Sequence, residues 1–174
     1  MSMNTSLINT CCFIGHRKIE VPENLENRLY NLLEDLIINK NVRVFLFGSR
    51  SEFNDICYEV VSKLKEKYPD LKRIYVRAEY PYISKDYENF LLGSYEETYF
   101  PEKIQKAGRL VYVERNCEII DKSAYCIFYY KEDYKPDIKK QSKRSLSYYQ
   151  PKSGTKLAYD YAVMKKKRVY NMCR

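Results

Sequence analysis

The sequence predicts an α/β fold of the Rossmann-like kind, a three-layer sandwich whose mainly parallel sheet has about six strands. Three observations lead there. Short apolar runs alternate with stretches of helical periodicity along the 174 residues. The first run, Thr10-Cys11-Cys12-Phe13-Ile14, is apolar at successive positions, as a strand covered on both faces must be. Glycines close the first two runs, at Gly15 and Gly48, where a chain turns out of a sheet.

The elements follow in order. After Gly15-His16-Arg17, leucines 25, 29, 32, 33 and 36 share one helical face over residues 22–39, with Pro22 suited to a first turn. Residues 42–47 form the second strand. A helix over 52–68 turns Phe53, Ile56, Cys57, Val60, Val61 and Leu64 inward, and Pro69 closes it. Residues 71–76 give the third strand. The chain then leaves through Arg77 and a loop containing Tyr80 and Tyr82, with short helices over 86–95 and 100–108. Residues 110–113 read as the fourth strand, 114–121 as a short helix and 124–130 as the fifth strand. Residues 131–150 are polar, basic and aperiodic, which predicts a mobile insertion or lid. A helix over 152–167 and a strand over 168–172 complete one domain spanning residues 1–174.

Composition narrows the function. Hydrophobic content of 45% and charged content of 31% describe a globular chain. No apolar run approaches a membrane span, and the first ten residues lack a signal-peptide pattern, so no membrane partner and a cytoplasmic location are expected. Six cysteines without a C-x-x-C pair, beside one histidine, predict no metal site. A net charge of +8 suits a polyanionic partner such as nucleic acid. The abundance of Lys, Asn, Ile and Tyr is equally what an A/T-rich coding sequence would supply.

Neither G-x-G-x-x-G nor G-x-x-x-x-G-K-[ST] is present, which argues against a nicotinamide-dependent dehydrogenase or a P-loop NTPase. Four loops are instead expected at the carboxyl edge of the sheet, where open α/β sheets bind ligands. The first is Gly15-His16-Arg17: His16 could act as acid or base or simply pack, and Arg17 could clamp a phosphate or pair with a surface acid. The second is Gly48-Ser49-Arg50-Ser51, small residues ahead of a helix, with Ser51 an ordinary N-cap and Asn54 and Asp55 close behind. The third is Glu114-Arg115-Asn116 with Asp121 beyond it, suited to a phosphate and a ribose or base, or a solvated helix start. The fourth is Ser153-Gly154-Thr155, a phosphate-like helix opening or a plain capped turn.

These residues carry a resemblance. Cys12-Phe13-Ile14-Gly15-His16-Arg17 resembles the N-terminal "TGHR" turn of the YpsA-like branch of the SLOG superfamily. Glu114-Arg115-Asn116, Ile119-Ile120-Asp121-Lys122-Ser123 and the fifth strand resemble its "RN…mid.sd" segment, and Lys152-Ser153-Gly154-Thr155 its "GGT" helix start. Ile14 stands where threonine is usual, and Lys152-Ser153 where two glycines are usual. The resemblance implies a Rossmann-like fold that binds a nucleotide-derived ligand. Gly15, His16, Arg17, Gly48, Ser49, Arg115, Asn116, Asp121, Ser153, Gly154 and Thr155 would line the site, with Tyr80 and Tyr82 available for stacking. Related lysine-decarboxylase-like (LOG) phosphoribohydrolases carry "GGxGTxxE", whereas Gly154-Thr155 here is followed by Lys156-Leu157-Ala158, without the glutamate. Binding or sensing of a nucleotide-derived ligand is thus the leading expectation. A nucleotide hydrolase using His16 or Asp55 is one alternative. Single-strand nucleic-acid binding through residues 131–152 and Lys165-Lys166-Lys167-Arg168, as in the SLOG-related DprA proteins, is another. A homo-oligomer is compatible with each.

Overall fold

The computed structural model describes residues 8–79, 81–104, 108, 110–134 and 153–173. Its elements are β1 (Thr10–Gly15), α1 (Leu25–Lys40), β2 (Val44–Phe47), α2 (Glu52–Lys67), β3 (Lys72–Val76), α3 (Lys85–Leu92), β4 (Glu97–Tyr99), α4 (Leu110–Asp121), β5 (Tyr125–Tyr129), α5 (Gly154–Met164) and β6 (Arg168–Asn171). The six strands form one sheet in the order β4-β3-β2-β1-β5-β6, and every pairing is parallel. The expected Rossmann-like α/β architecture is therefore present.

Alternation along the strands sorts the core into two layers. Cys11, Phe13, Phe45, Phe47, Ile127 and Tyr129 meet leucines 25, 29 and 33 of α1 and Phe53, Cys57, Val61 and Leu64 of α2. On the other face Cys12, Ile14, Leu46, Val76, Cys126 and Phe128 meet Ile119 and Ile120 of α4 and Ala158 and Ala162 of α5. β1 is buried at all six positions because both layers close over it. The chain winds outward from β1 to β4, then crosses back through α4 to place β5 on the other side of β1. The carboxyl ends of β1 and β5 consequently flank a topological switch point, the crevice where such sheets take ligands.

Two expectations fail in the same region. Leu110 to Val113 is not a strand; it opens α4, whose buried Val111, Arg115, Ile119 and Ile120 recur at helical spacing. The fourth strand is instead the three-residue β4, Glu97–Tyr99. The helix expected over 100–108 is absent from its described part, where Pro101 to Ile104 form a turn. The proposed insertion at 131–150 lies outside the described residues from position 135 onward. Among the described residues no helix is long and apolar enough to cross a membrane.

Candidate functional site

β1 delivers Gly15-His16 to the switch point. Gly15 does not make room for a ligand: a β-carbon there would lie 2.5 Å from Phe53 Cδ1, so the glycine lets α2 press onto β1. His16 is 2% exposed. Its Nε2 accepts the Lys131 N–H at 2.9 Å, which leaves the proton on Nδ1, and Nδ1 is buried without a hydrogen-bond partner among the described residues. The ring stacks on Tyr134 at 3.7 Å between centroids. Burial lowers the His16 pKa, and the Lys131 hydrogen bond acts in the opposite sense. Tyr130 continues the aromatic row, 5.9 Å from His16 and 4.7 Å from Tyr159. Arg17 is exposed, and its carbonyl accepts the Glu52 N–H.

The opening of α5 lies close by. Ser153 caps it, its hydroxyl accepting the Lys156 N–H at 3.1 Å, and Lys156 Nζ sits 6.0 Å from the centre of the Tyr130 ring. Thr155 is buried, whereas a β-carbon on Gly154 would meet nothing within 4 Å.

A second group gathers at the ends of β2 and β3. Arg115 reaches from the second turn of α4 under the β2 turn, donating from Nη1 to the Gly48 carbonyl and from Nη2 and Nε to Asn116 Oδ1 at 3.3 and 3.4 Å. It is 6% exposed and forms no ion pair among the described residues. Burial lowers its pKa, while Tyr75, Tyr112 and Glu79 raise it; a guanidinium stays charged regardless. A β-carbon on Gly48 would stand 2.8 Å from Arg115 Cδ, so this glycine admits the arginine. Tyr112 lies beneath the guanidinium, 5.6 Å from ring centre to Cζ, and donates its hydroxyl to Glu79. Arg50 is exposed, and hydrogen bonds with Tyr87, then Tyr75, raise its pKa. Arg77 follows β3 with Nε and Nη1 buried and unpartnered among the described residues. Ser49 Oγ contacts Ser51 Oγ at 3.2 Å, and Ser51 caps α2 through the Asn54 N–H.

The structure thus brings Gly15, His16, Arg17, Gly48, Ser49, Arg115, Asn116, Ser153, Gly154 and Thr155 to the carboxyl edge, with Arg115 and Asn116 inside a helix and not at its start. Asp121 is elsewhere. It ends α4 at the amino edge, accepting the Tyr161 hydroxyl at 2.8 Å and facing Lys103 at 3.5 Å. Asp55 is exposed on the first turn of α2. Burial first, and then Glu52 and Glu59, raise its pKa. Tyr82 is 92% exposed, and Tyr80 lies outside the described residues. Lys165 to Arg168 also sit at the amino edge, in the turn entering β6. Sequence reasoning named Arg50 only as part of its loop and passed over Arg77, Tyr112, Tyr130 and Tyr134 as site residues. Arg50 and Arg77 carried one usable signal, a cation within three residues of an apolar run's end.

Sheet and edge together define a Rossmann-like α/β protein whose carboxyl edge carries arginines and stacked rings. No family model and no curated protein sequence matches the chain. Solved structures do match it. DNA processing protein A (DprA) from Streptococcus pneumoniae aligns with a TM-score of 0.58 at 11% identity, covering 94% of this chain and 50% of that one. DprA from Helicobacter pylori, a structure concerned with its single-stranded DNA binding mode, aligns with a TM-score of 0.56 at 15% identity, covering 94% and 64%. The chain spans half to just under two thirds of the length of these neighbours. At such identities the likeness shows a shared fold.

Proposed function

We propose that this chain binds single-stranded nucleic acid, holding phosphates at the carboxyl edge of its sheet. The observation that carries the reading is the Arg115 guanidinium, buried against the Gly48 carbonyl with no carboxylate paired to it among the described residues. Glu79 favours the charge without pairing to it; a buried charge lacking a directly paired carboxylate is costly, and a ligand phosphate would supply that partner. Arg17, Arg50 and Arg77 extend the cationic edge, and the half-buried Tyr130 and Tyr134 rings beside His16 supply aromatic surface on which bases stack. The net charge of +8 and the fold shared with a DprA that binds single-stranded DNA support the same reading. On this reading the chain is a cytoplasmic, single-domain relative of the SLOG proteins, and its YpsA-like motifs at Gly15-His16-Arg17, Arg115-Asn116 and Ser153-Gly154-Thr155 serve the binding edge.

His16 favours a second reading, a compact nucleotide at the switch point. Its buried Nδ1–H lacks an acceptor among the described residues, and one ligand oxygen would provide it.

One experiment separates them. Fluorescence anisotropy with a labelled oligonucleotide of about 20 residues, long enough for a full single-strand site, should show affinity falling steeply with salt. Arg115→Met should weaken it about ten- to a hundredfold, the worth of a charge-assisted hydrogen bond of roughly 1.5–3 kcal/mol. The melting temperature should change little, because an apolar side chain of similar volume replaces a buried charge. Undiminished oligonucleotide affinity in Arg115→Met would place the site elsewhere. Saturable thermal stabilisation by mononucleotides, without oligonucleotide binding, would select the second reading.

A further inference from the structure

We propose that the amino edge of the sheet, around Lys122, Lys165, Lys166 and Arg168, is a second contact surface for the same nucleic-acid strand. The inference rests on the reading above for the partner's identity, but on a separate set of residues. α5 ends at Met164, and Lys165 to Lys167 turn directly into β6 at Arg168. Lys122 follows the last residue of α4 on the same edge. The Ala124 N–H donates to Thr10 O and the Arg168 N–H to Ala124 O, which sets the starts of β1, β5 and β6 side by side. Lys122, Lys165, Lys166 and Arg168 are all exposed.

Their charges meet no carboxylate among the described residues, and Lys165 lies over the Tyr161 ring at 5.5 Å. Elsewhere on this edge cations are neutralised: Arg43 by Asp70, Lys65 by Glu96, Lys67 by Glu34 and Lys72 by Glu97. None of the four makes an ion pair among the described residues. The neighbouring acid, Asp121, is engaged by the Tyr161 hydroxyl and Lys103. Lys167 is spent differently, donating to the Asp121 carbonyl at 3.3 Å. Positive charge is thereby segregated on the β5–β6 half of the edge, beside a 65% exposed Met164.

Lys166 adds a backbone observation. Its φ is 57°, and its N–H donates to Val163 O while that of Lys167 donates to Ala162 O. This is the helix-ending position that glycine fills without strain, yet a lysine occupies it. Helix-end electrostatics favours one cation after α4 and one after α5. It does not account for four consecutive basic residues carried on into a strand. Exposed point charges without a cavity suit a phosphate backbone contacted irrespective of sequence.

The six-residue β1 separates the two edges by about 20 Å. An oligonucleotide of about 5 residues, near the lower limit of single-strand sites, can engage one edge only, whereas one of about 30 can reach around β6 to both. The test compares both lengths on the full chain and on Lys122→Gln/Lys165→Gln/Arg168→Gln. The slope of log affinity against log salt should become shallower by about 0.7 per charge removed for the long strand, and stay unchanged for the short one. Lys166→Gly should raise the melting temperature, by relieving the backbone, while weakening the long strand. Equal effects at both lengths, or an unchanged slope for the long strand, would overturn the second surface. If Arg115→Met spares the short strand while the triple variant still flattens the long-strand slope, the carboxyl-edge reading falls and the amino-edge surface stands.

Discussion

A β-carbon on Gly15 would lie within 2.6 Å of three Phe53 side-chain atoms, in a part of the core where α2 and β1 have nowhere to move. On Gly48 it would lie 2.8 Å from Arg115 Cδ and 3.2 Å from the Val76 carbonyl, and a long side chain can swing away. The same substitution should therefore do two different things. Gly15→Ala should cost about 1–3 kcal/mol of stability through overpacking, seen as a lower urea midpoint. Gly48→Ala should cost less stability but displace the guanidinium, so the loss appears in oligonucleotide affinity. The reverse pattern would mean that Arg115 is not a ligand-binding group. Nothing local in the sequence separates these glycines, since each closes an apolar run. What differs is the residue arriving from far along the chain, and that is a property of the packed fold. His16 illustrates the same limit: its position at a turn was readable, but its tautomer depends on the Lys131 N–H.

Glu96 ties three elements together just before β4. It accepts from the Arg73 backbone N–H at 2.7 Å and from the Arg73 guanidinium at 2.8 and 3.2 Å, and Lys65 of α2 lies 3.3 Å away. Burial raises the carboxyl's pKa, and the hydrogen bonds and charge of Arg73 outweigh it, bringing it down to about 2. A carboxylate whose pKa is lower folded than unfolded adds stability above its ordinary value of 4.5, and loses it as pH falls toward 2. With about a quarter of the side chain still exposed, the contribution is about 2–3 kcal/mol. Glu96→Gln should be less stable than the parent at pH 7, and the gap should close between pH 4.5 and pH 2 in urea titrations. A gap that stays constant with pH would show that the ion pair is not its source. Sequence patterns located five of the six strands but missed this one. β4 is three residues long, and Glu97-Thr98-Tyr99 has no apolar run, because an edge strand needs none. Leu110-Val-Tyr-Val imitated a strand instead. Its helical period emerges only when Val111 is set against Arg115 and Ile119, all three buried on the same face, one as a charge and two as apolar groups.

The order β4-β3-β2-β1-β5-β6 makes stability uneven across the sheet. β1 has hydrogen-bonded partners on both sides, core layers on both faces and six buried residues. β4 has one partner, an exposed outer edge and no fully buried position. α3, which packs on it, buries only Leu91 and leaves Phe90 72% exposed. The strand order was not readable from the sequence, since periodicity marks each strand without saying which strands adjoin, and the switch point beside His16 follows from that order alone. Amide exchange measures the result directly. Local openings range from nearly free at frayed elements to the full unfolding free energy at core strands. Amides of β1 and β5 should exchange only through global unfolding, with rates that respond to urea as the whole molecule does. Those of β4 and α3 should exchange through a smaller opening that urea barely affects. That opening matters for binding, because Tyr87 of α3 interacts with Arg50, so freeing α3 frees a cation at the carboxyl edge. Saturating oligonucleotide should therefore alter exchange in α3 while leaving β1 unchanged. Amides of β4 as slow as those of β1, or an α3 indifferent to oligonucleotide, would mean that this corner is neither weakly held nor linked to the binding edge.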